Sequence, residues 1–234
     1  MGKGLCFDTG GLNLKGSGNI ETMYTDKHGA CTVLGCMQAI ATLGLKTNVV
    51  GVMALADNAI DGESQHPHDI VTSMKGLTVH IDNTCASRPH ARSTPTTETA
   101  RARSDAEGRL VLADTLTYTQ KYFAGVDTIF DFATLTGACV TALGSAYAGI
   151  WSNDDDLAGA VTAAASSTAD EQVWRMPWED YSKELEHPSC DLKHTGAGPG
   201  GANSAAAFIE KFIDDDVACA RPAAGLLWPG ARSL

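Results

Sequence analysis

The sequence predicts an α/β protein in which a mainly parallel central sheet is flanked by helices. Segments with strand character alternate with segments of helical periodicity, as in repeated strand-helix-strand units. The segment 48–55 is a nearly continuous apolar run, which is typical of a parallel strand covered on both faces, and the segment 126–134 predicts another buried strand. The chain has 234 residues and is 44% hydrophobic, so one main globular core is expected.

The composition argues against two classes of partner. A formal net charge of −11 disfavours binding to nucleic acid or to an anionic membrane surface, and it suits a protein that gathers cations among its carboxylates. No apolar run reaches the length of a membrane span and no signal peptide is recognised, so a cytoplasmic location is expected. The seven cysteines lack CxxC pairs, which favours buried thiols over disulfides or a zinc-thiolate site.

The first predicted strand ends at Asp8, and the glycine pair Gly10 and Gly11 allows a sharp bend after it. Lys3 and Asp8 are an odd number of positions apart, so they face opposite sides of a straight strand. A twist or bulge near Phe7 is needed to bring them to one ion. The alternative interpretation is a glycine-rich β-turn with solvated charges.

The same bend is needed for Lys15 to converge with Lys3 and Asp8. Further along, an apolar segment at 30–45 predicts a buried helix with Asp26 at or just before its start. Asp26 is therefore either an ordinary N-cap residue or a residue with a chemical role.

The middle of the chain predicts a polar loop, a strand at 77–81 and an insertion. His66 and His68 flank a proline in the loop and are expected to be solvated. Residues 85–104 contain four arginines and clustered Ser, Thr and Pro without apolar periodicity, which predicts a disordered insertion. A basic recognition arm is the alternative interpretation of that segment.

The segment 104–114 carries the densest group of charges. Asp105 and Glu107 point the same way on an extended backbone, and Arg109 follows them directly. A helical apolar run starts at Leu110, so the acids are expected on a strand-to-helix turn at one end of the sheet.

The last third of the chain predicts a helix at 155–166 and a glycine-rich loop at 196–203 before a helix at 204–213. No clear element is expected from residue 219 onward.

These charged residues would form one metal site if the fold brings them together. Four carboxylates in a small volume repel one another, and divalent cations remove that repulsion. Two ions bridged by carboxylates and a water would generate a nucleophile for hydrolysis. Lys3 would then bind as the neutral amine, Lys15 would polarise a carbonyl or stabilise an oxyanion, and Arg109 would hold an anionic group.

Four segments of the chain resemble, in order, the signature blocks of the leucine aminopeptidase family (peptidase family M17) of dinuclear metallopeptidases. These segments are 3–15, 23–29, 105–114 and 133–138. The resemblance implies five ligands of two Zn²⁺ or Mn²⁺ ions, namely Lys3, Asp8, Asp26, Asp105 and Glu107. It implies Lys15 and Arg109 as the catalytic pair, with a bicarbonate on Arg109 as base, and Leu135 and Gly137 in the substrate site.

The resemblance further implies an enzyme that hydrolyses the N-terminal residue from peptides with a free N-terminus, in a cytoplasmic homohexamer. It covers residues 1–216 as a catalytic domain, interrupted by the insertion at 85–104. Residues 217–234 are expected to form a divergent tail, and the family's N-terminal domain is expected to be absent. The alternative is a catalytically inactive, truncated remnant that keeps the fold and part of the metal binding. A phosphoesterase is disfavoured by the lack of metal-binding histidine pairs.

Overall fold

The computed structural model describes residues 1–62, 64–82, 106–168, 171–196 and 199–223, with residues 221–223 described by their backbone only. The predicted insertion at 85–104 and Asp105 lie outside these ranges. The helices are α1 (His28–Leu43), α2 (Glu107–Tyr122), α3 (Gly137–Leu143), α4 (Asp155–Ser166) and α5 (Gly201–Glu210), with 3₁₀ segments at Ile20–Thr25 and Glu179–Leu185. The strands are β1 (Gly2–Asp8), β2 (Met53–Asn58), β3 (Ile70–Thr72), β4 (Thr78–His80), β5 (Thr128–Phe130), β6 (Tyr147–Ser152), β7 (Gln172–Arg175), β8 (Leu192–Lys193) and β9 (Ala218–Ala223).

The fold is mixed α/β, with parallel-rich sheets flanked by helices, as the sequence predicts. Over the described residues, β1 pairs with β2, the second sheet has the order β3-β4-β8, and the third has the order β5-β9-β6-β7. The backbone N–H of Lys3 donates to the Phe132 carbonyl at 2.8 Å, and the N–H of Phe132 donates to the Met1 carbonyl at 3.0 Å. These bonds place β1 beside the end of β5, so the first and third sheets continue into one another.

The main core lies between α2, α5 and the strands. Leu112 and Leu116 of α2 and Phe208 of α5 are fully buried, and they pack with Val79 of β4 and Ile129 of β5. Burial of large apolar side chains is the dominant stabilising contribution in such a core. The first turn of α2 is therefore held at a defined place against the sheet.

Two apolar segments are more exposed than the sequence predicts. Helix α1 was expected to be buried, yet Leu34 and Leu43 on it are mostly exposed. Strand β2 begins five residues later than the predicted 48–55 segment, and Met53 and Leu55 are exposed. The apolar character of these side chains therefore does not correspond to burial in the described structure.

The two histidines of the predicted polar loop, His66 and His68, are exposed as expected. His68 also contacts a neighbouring ring, since its Nδ1 lies 3.2 Å from His80 Nε2.

Several element boundaries also differ from the predicted ones. Helix α2 begins at Glu107, not at Leu110, so Glu107 and Arg109 are helical residues. Strand β9 occupies the region where no element was expected, and it is paired with β5 on one side and β6 on the other. Long-range pairing of this kind overrides a weak local pattern. The predicted bounds of α4 are confirmed.

Two composition-based expectations have different outcomes. Cys139 and Cys219 are buried thiols as predicted, whereas Cys6, Cys31 and Cys36 are exposed. Among the helices of the described ranges, none is long and apolar enough to cross a lipid bilayer.

Candidate functional site

Lys3 lies at the centre of a buried charged cluster. Its Nζ is 2.9 Å from Asp26 Oδ1 and 3.0 Å from Glu107 Oε1, and it donates to the backbone carbonyl of Thr134 at 3.1 Å. The three charged side chains are at most 3% exposed. Charges buried to this extent persist only when they are paired and hydrogen-bonded. The contacts of Lys3 with Asp26, Glu107 and Thr134 meet this requirement.

Burial and charge pairing set the protonation of the cluster. Burial lowers the pKa of Lys3, but the ion pairs with Asp26 and Glu107 outweigh it and hold this pKa above its usual value. Burial raises the pKa of Glu107 to about 7, although Lys3 opposes this shift. Burial likewise raises the pKa of Asp26. The acids are therefore incompletely compensated by Lys3, and additional positive charge would stabilise them.

A bulge brings Lys3 and Asp8 to the same side of β1. The pairing register of β1 with β2 shifts between Leu5 and Phe7, which confirms the irregularity predicted near Phe7. The β1 strand therefore contributes both residues to one cluster, although their spacing in a straight strand would separate them.

The glycine bend after β1 returns Lys15 to Asp8. Gly10 and Gly11 have φ values of +79° and +66°, which favour glycine. Lys15 Nζ lies 2.9 Å from Asp8 Oδ2, while Asp8 Oδ1 accepts from the N–H of Gly10 at 2.9 Å and from Asn58 Nδ2 at 2.6 Å. The interpretation of 3–15 as a turn with solvated charges is wrong, because Lys3 and Asp8 are buried.

Asp26 is not an N-cap. Helix α1 starts at His28, and its N-cap residue is Lys27, which makes no side-chain capping bond. The Asp26 carboxylate instead accepts a hydrogen bond from Thr134 Oγ1 at 2.6 Å and pairs with Lys3. Asp26 therefore belongs to the charged cluster.

The acidic residues of this cluster fit a divalent cation. Carboxylate oxygens of Asp8, Asp26 and Glu107 lie within 4.8 Å of one another, and all three residues are buried. In the described part of the chain, Asp26 Oδ2 and Glu107 Oε2 have no hydrogen-bond partner. Unpartnered buried carboxylate oxygens are costly, and they are also the ligands that hard divalent cations use. We call Lys3, Asp8, Asp26 and Glu107 the acidic cluster.

Arg109 lies on the same helix as Glu107 but points elsewhere. Its Nη1 donates to the backbone carbonyl of His194, and burial lowers the pKa of Arg109 to about 10. Within the described ranges its Nε has no partner, and its guanidinium makes no ion pair with the three acids. The structure thus brings together Lys3, Asp8, Lys15, Asp26 and Glu107, but does not join Arg109 to them by a direct contact.

The two predicted substrate residues follow β5. A Cβ added to Gly108 would lie 2.6 Å from Lys3 Nζ and 3.1 Å from Leu135 Cδ1, so Leu135 lies beside the end of Lys3. Gly137 is the first residue of α3, and no described atom lies within 4 Å of the position where its Cβ would be. Leu135 therefore borders the acidic cluster, and Gly137 faces open space.

Three supporting residues were not predicted. Thr134 hydrogen-bonds to Asp26 and to Lys3, and Asn58 hydrogen-bonds to Asp8. Gly108 lacks a side chain, and the Lys3 side chain occupies the space that a Cβ at this position would need. Thr134 and Gly108 lie inside the segments 133–138 and 105–114, which were recognised for other residues. Asn58 carries no sequence signal, because only the pairing of β2 with β1 brings it to Asp8.

Fold and site together define a mixed α/β protein with a buried acidic cluster suited to divalent metal. The sequence profile of the cytosol aminopeptidase family, catalytic domain, matches residues 1–87 and 95–222. The chain belongs to this family. The unmatched residues between these two stretches lie inside the predicted insertion, and the match continues past residue 216.

Curated relatives carry the same family name. The chain is 44% identical over 216 residues to a probable cytosol aminopeptidase of Chlorobium luteolum, covering 92% of this chain and 38% of that protein. It is 45% identical over 217 residues to one of Rhodopseudomonas palustris, covering 92% and 39%. It is 41% identical over 232 residues to one of Chloroherpeton thalassium, covering 98% and 41%. The chain thus spans about two fifths of the length of these relatives.

Proposed function

We propose that this chain carries the catalytic centre of a metal-dependent aminopeptidase, which hydrolyses the N-terminal residue from peptides. The observation that carries the proposal is the acidic cluster: three buried carboxylates surround Lys3 in a member of the cytosol aminopeptidase family. Stability alone does not account for a buried cluster of this charge, because apolar side chains of similar volume are often at least as stabilising.

The proposed ligands of two divalent ions, Zn²⁺ or Mn²⁺, are Lys3, Asp8, Asp26, Asp105 and Glu107. The unpartnered oxygens Asp26 Oδ2 and Glu107 Oε2 support this assignment. Lys3 would bind an ion as the neutral amine. In its protonated form it pairs instead with Asp26 and Glu107, two of the carboxylates that would hold the ions. Bound ions would supply Lewis-acid polarisation of the scissile carbonyl and a water of lowered pKa.

Lys15 and Arg109 are the proposed catalytic pair. The Lys15 side chain is 19% exposed, whereas Lys3 and the acids are buried, so Lys15 can reach a substrate. Its ammonium would donate to the peptide carbonyl oxygen as negative charge develops there. Arg109 would hold an anion such as bicarbonate, which would supply a general base at the site. Leu135 and Gly137 would border the substrate, Leu135 by excluding water and Gly137 by leaving space.

Peptides with a free N-terminus are the proposed substrates, and a cytoplasmic homohexamer is the proposed assembly. The name of these relatives, probable cytosol aminopeptidase, supports the substrate class and the location.

An inactive chain that retains the fold and part of the metal binding is the second candidate. The contact of Arg109 favours it, because a guanidinium that donates to the His194 carbonyl has fewer donors for a bicarbonate.

The test is hydrolysis of a leucine chromogenic amide by the purified chain loaded with Mn²⁺ or Zn²⁺. Activity is expected to be lost in Lys15→Ala and Asp105→Ala and kept in Lys211→Ala, which removes an exposed lysine. Metal analysis of the Mn²⁺-loaded chain is expected to give two ions per chain. A folded, metal-loaded chain without activity would support the inactive alternative, and full activity of Asp105→Ala would refute the ligand set.

A further inference from the structure

Asn58 is a neutral polar residue that is buried beside the acidic cluster. It is the last residue of β2, and the parallel pairing of β1 with β2 places it opposite Asp8. Its Nδ2 donates to Asp8 Oδ1 at 2.6 Å, and its backbone carbonyl accepts from the N–H of Thr9 at 2.9 Å. Asn58 is 0% exposed. Strand pairing and burial therefore fix the side-chain amide of Asn58 against one oxygen of Asp8.

The two oxygens of the Asp8 carboxylate have different surroundings. Oδ1 accepts from Asn58 Nδ2 and, at 2.9 Å, from the N–H of Gly10. Since a carboxylate oxygen has about two acceptor positions, these two donors saturate Oδ1. Oδ2 lies 2.9 Å from the Nζ of Lys15 instead. Asp8 therefore directs Oδ1 to neutral donors and Oδ2 to a positive charge.

The position beside Asp8 Oδ1 favours a neutral donor. An ionised carboxylate at position 58 could not donate to Oδ1, and it would add negative charge to a cluster that already holds three buried acids. An apolar side chain would leave Oδ1 with one donor fewer. The Asp8 carboxylate could then rotate, because the terminal torsion of aspartate is soft. The Asn58 amide avoids both effects, and its hydrogen bond to an ionised acceptor is of the stronger kind.

We propose that Asn58 is a positioning residue of the proposed metal site, which keeps Oδ1 of Asp8 occupied so that Oδ2 is the oxygen presented to a divalent ion. The inference rests on the proposed function, because it requires that an ion binds at the acidic cluster. Hydrogen-bond partners of metal ligands fix the orientation of those ligands. Asn58 acts on metal binding through Asp8 and is not itself a ligand.

The test is Mn²⁺ binding by the purified chain, measured by equilibrium dialysis, together with the free energy of unfolding of each metal-free variant in urea. Asn58→Leu removes the donor with little change in size and is expected to raise the Kd for Mn²⁺ by about 10- to 100-fold. Asn58→Ala avoids the bulk of leucine, carries the same expectation and replaces Asn58→Leu if that chain does not fold.

Asn153→Leu is the matched control for a purely structural asparagine. The side chain of Asn153 donates to the Val217 carbonyl at 3.0 Å and accepts from the N–H of Cys219 at 2.7 Å. Asn153→Leu is expected to lower the free energy of unfolding and to leave the Kd for Mn²⁺ unchanged. An equal loss of Mn²⁺ affinity in Asn153→Leu and Asn58→Leu would overturn the positioning role, because it would reflect stability alone.

Glu107→Gln alters a proposed ligand and separates failure of this inference from failure of the proposed function. If Glu107→Gln weakens Mn²⁺ binding while folded Asn58→Leu or Asn58→Ala binds as tightly as the wild type, Asn58 is not a positioning residue and the metal site stands. If Glu107→Gln also binds Mn²⁺ as the wild type does, the metal site and the role of Asn58 are both refuted.

Discussion

Replacement of Gly108 by alanine tests whether Lys3 is locked in place. Gly108 lies in the first turn of α2, where an alanine ordinarily stabilises a helix by about 0.5–1 kcal/mol. The added Cβ would lie 2.5 Å from Lys3 Cε and 2.6 Å from Lys3 Nζ. The Lys3 side chain must therefore move by about 1 Å to restore a normal carbon contact.

The magnitude follows from what holds Lys3. A flexible lysine would move at little cost, but the Nζ of Lys3 has contacts of 2.9, 3.0 and 3.1 Å with Asp26, Glu107 and Thr134. Overpacking at such a site costs about 1–3 kcal/mol, which exceeds the helix propensity gain. We expect Gly108→Ala to lower the free energy of unfolding by about 1–2 kcal/mol after the two contributions are combined.

The assay is urea denaturation of the metal-free chain, with Gly159→Ala as the matched control. Gly159 lies in α4, and apart from the helix's own backbone no atom of the described residues lies within 4 Å of an added Cβ. We expect this control to raise the free energy of unfolding by about 0.5–1 kcal/mol. If Gly108→Ala stabilises the chain as much as Gly159→Ala does, then Lys3 is not held as described.

Three other predictions concern the acidic cluster. Lys3→Met is expected to lower the free energy of unfolding of the metal-free chain by about 3–5 kcal/mol, because it leaves two buried carboxylates without their cation; chemical denaturation measures this. Burial raises the pKa of Glu107 from its ordinary value of 4.5 to about 7, so the folded metal-free chain keeps a proton that the unfolded chain releases. Its free energy of unfolding is therefore expected to decrease from pH 5 to pH 8, measured in urea at both pH values. Zn²⁺ or Mn²⁺ at about 100 times its Kd is expected to stabilise the chain by about 2.7 kcal/mol, and a chelator is expected to reverse the rise in Tm.

Each of these three predictions can be contradicted, either by a control variant or by the opposite outcome. Lys75→Met removes an ion pair with Asp214 at 3.1 Å that is largely solvent-exposed, and it should change stability by less than about 1 kcal/mol. An equal effect of Lys3→Met and Lys75→Met would contradict the burial argument. Stability that rises from pH 5 to pH 8 would contradict the pKa of Glu107, and an unchanged Tm with Zn²⁺ and with Mn²⁺ would contradict metal binding by the cluster.

Local features of the sequence were sufficient to predict the strand at the start of the chain and its bend, whereas its irregularity was required only if Lys3 and Asp8 were to reach one ion. Gly10 and Gly11 adopt the positive φ values that glycine favours, and the register shift follows Leu5. The helix at 155–166 was predicted with its observed bounds, because its alanine-rich run is a local signal. In the structure the Asp154 side chain caps its start by accepting from the N–H of Leu157. Where a local signal was weak, as in β9, the prediction failed.

The exposure of α1 shows the limit of composition. An apolar run predicts that a segment tends to be covered, but not by which element. Leu34 and Leu43 are exposed in the described structure, whereas the buried residues of the helix, Ala30 and Val33 among them, lie near its start. Burial is decided by what packs against a segment, and that depends on the rest of the fold.

The sequence by itself determined the fold class, the family and the residue types available for a metal site. These depend on residue identity, order and local backbone preference, all of which are present in the chain before it folds. Only the tertiary structure decided that Lys3, Asp26 and Glu107 share one buried volume, that Arg109 turns to His194, and that His68 meets His80. Such contacts join residues far apart in sequence, and their geometry follows from strand pairing and core packing, which no local pattern encodes.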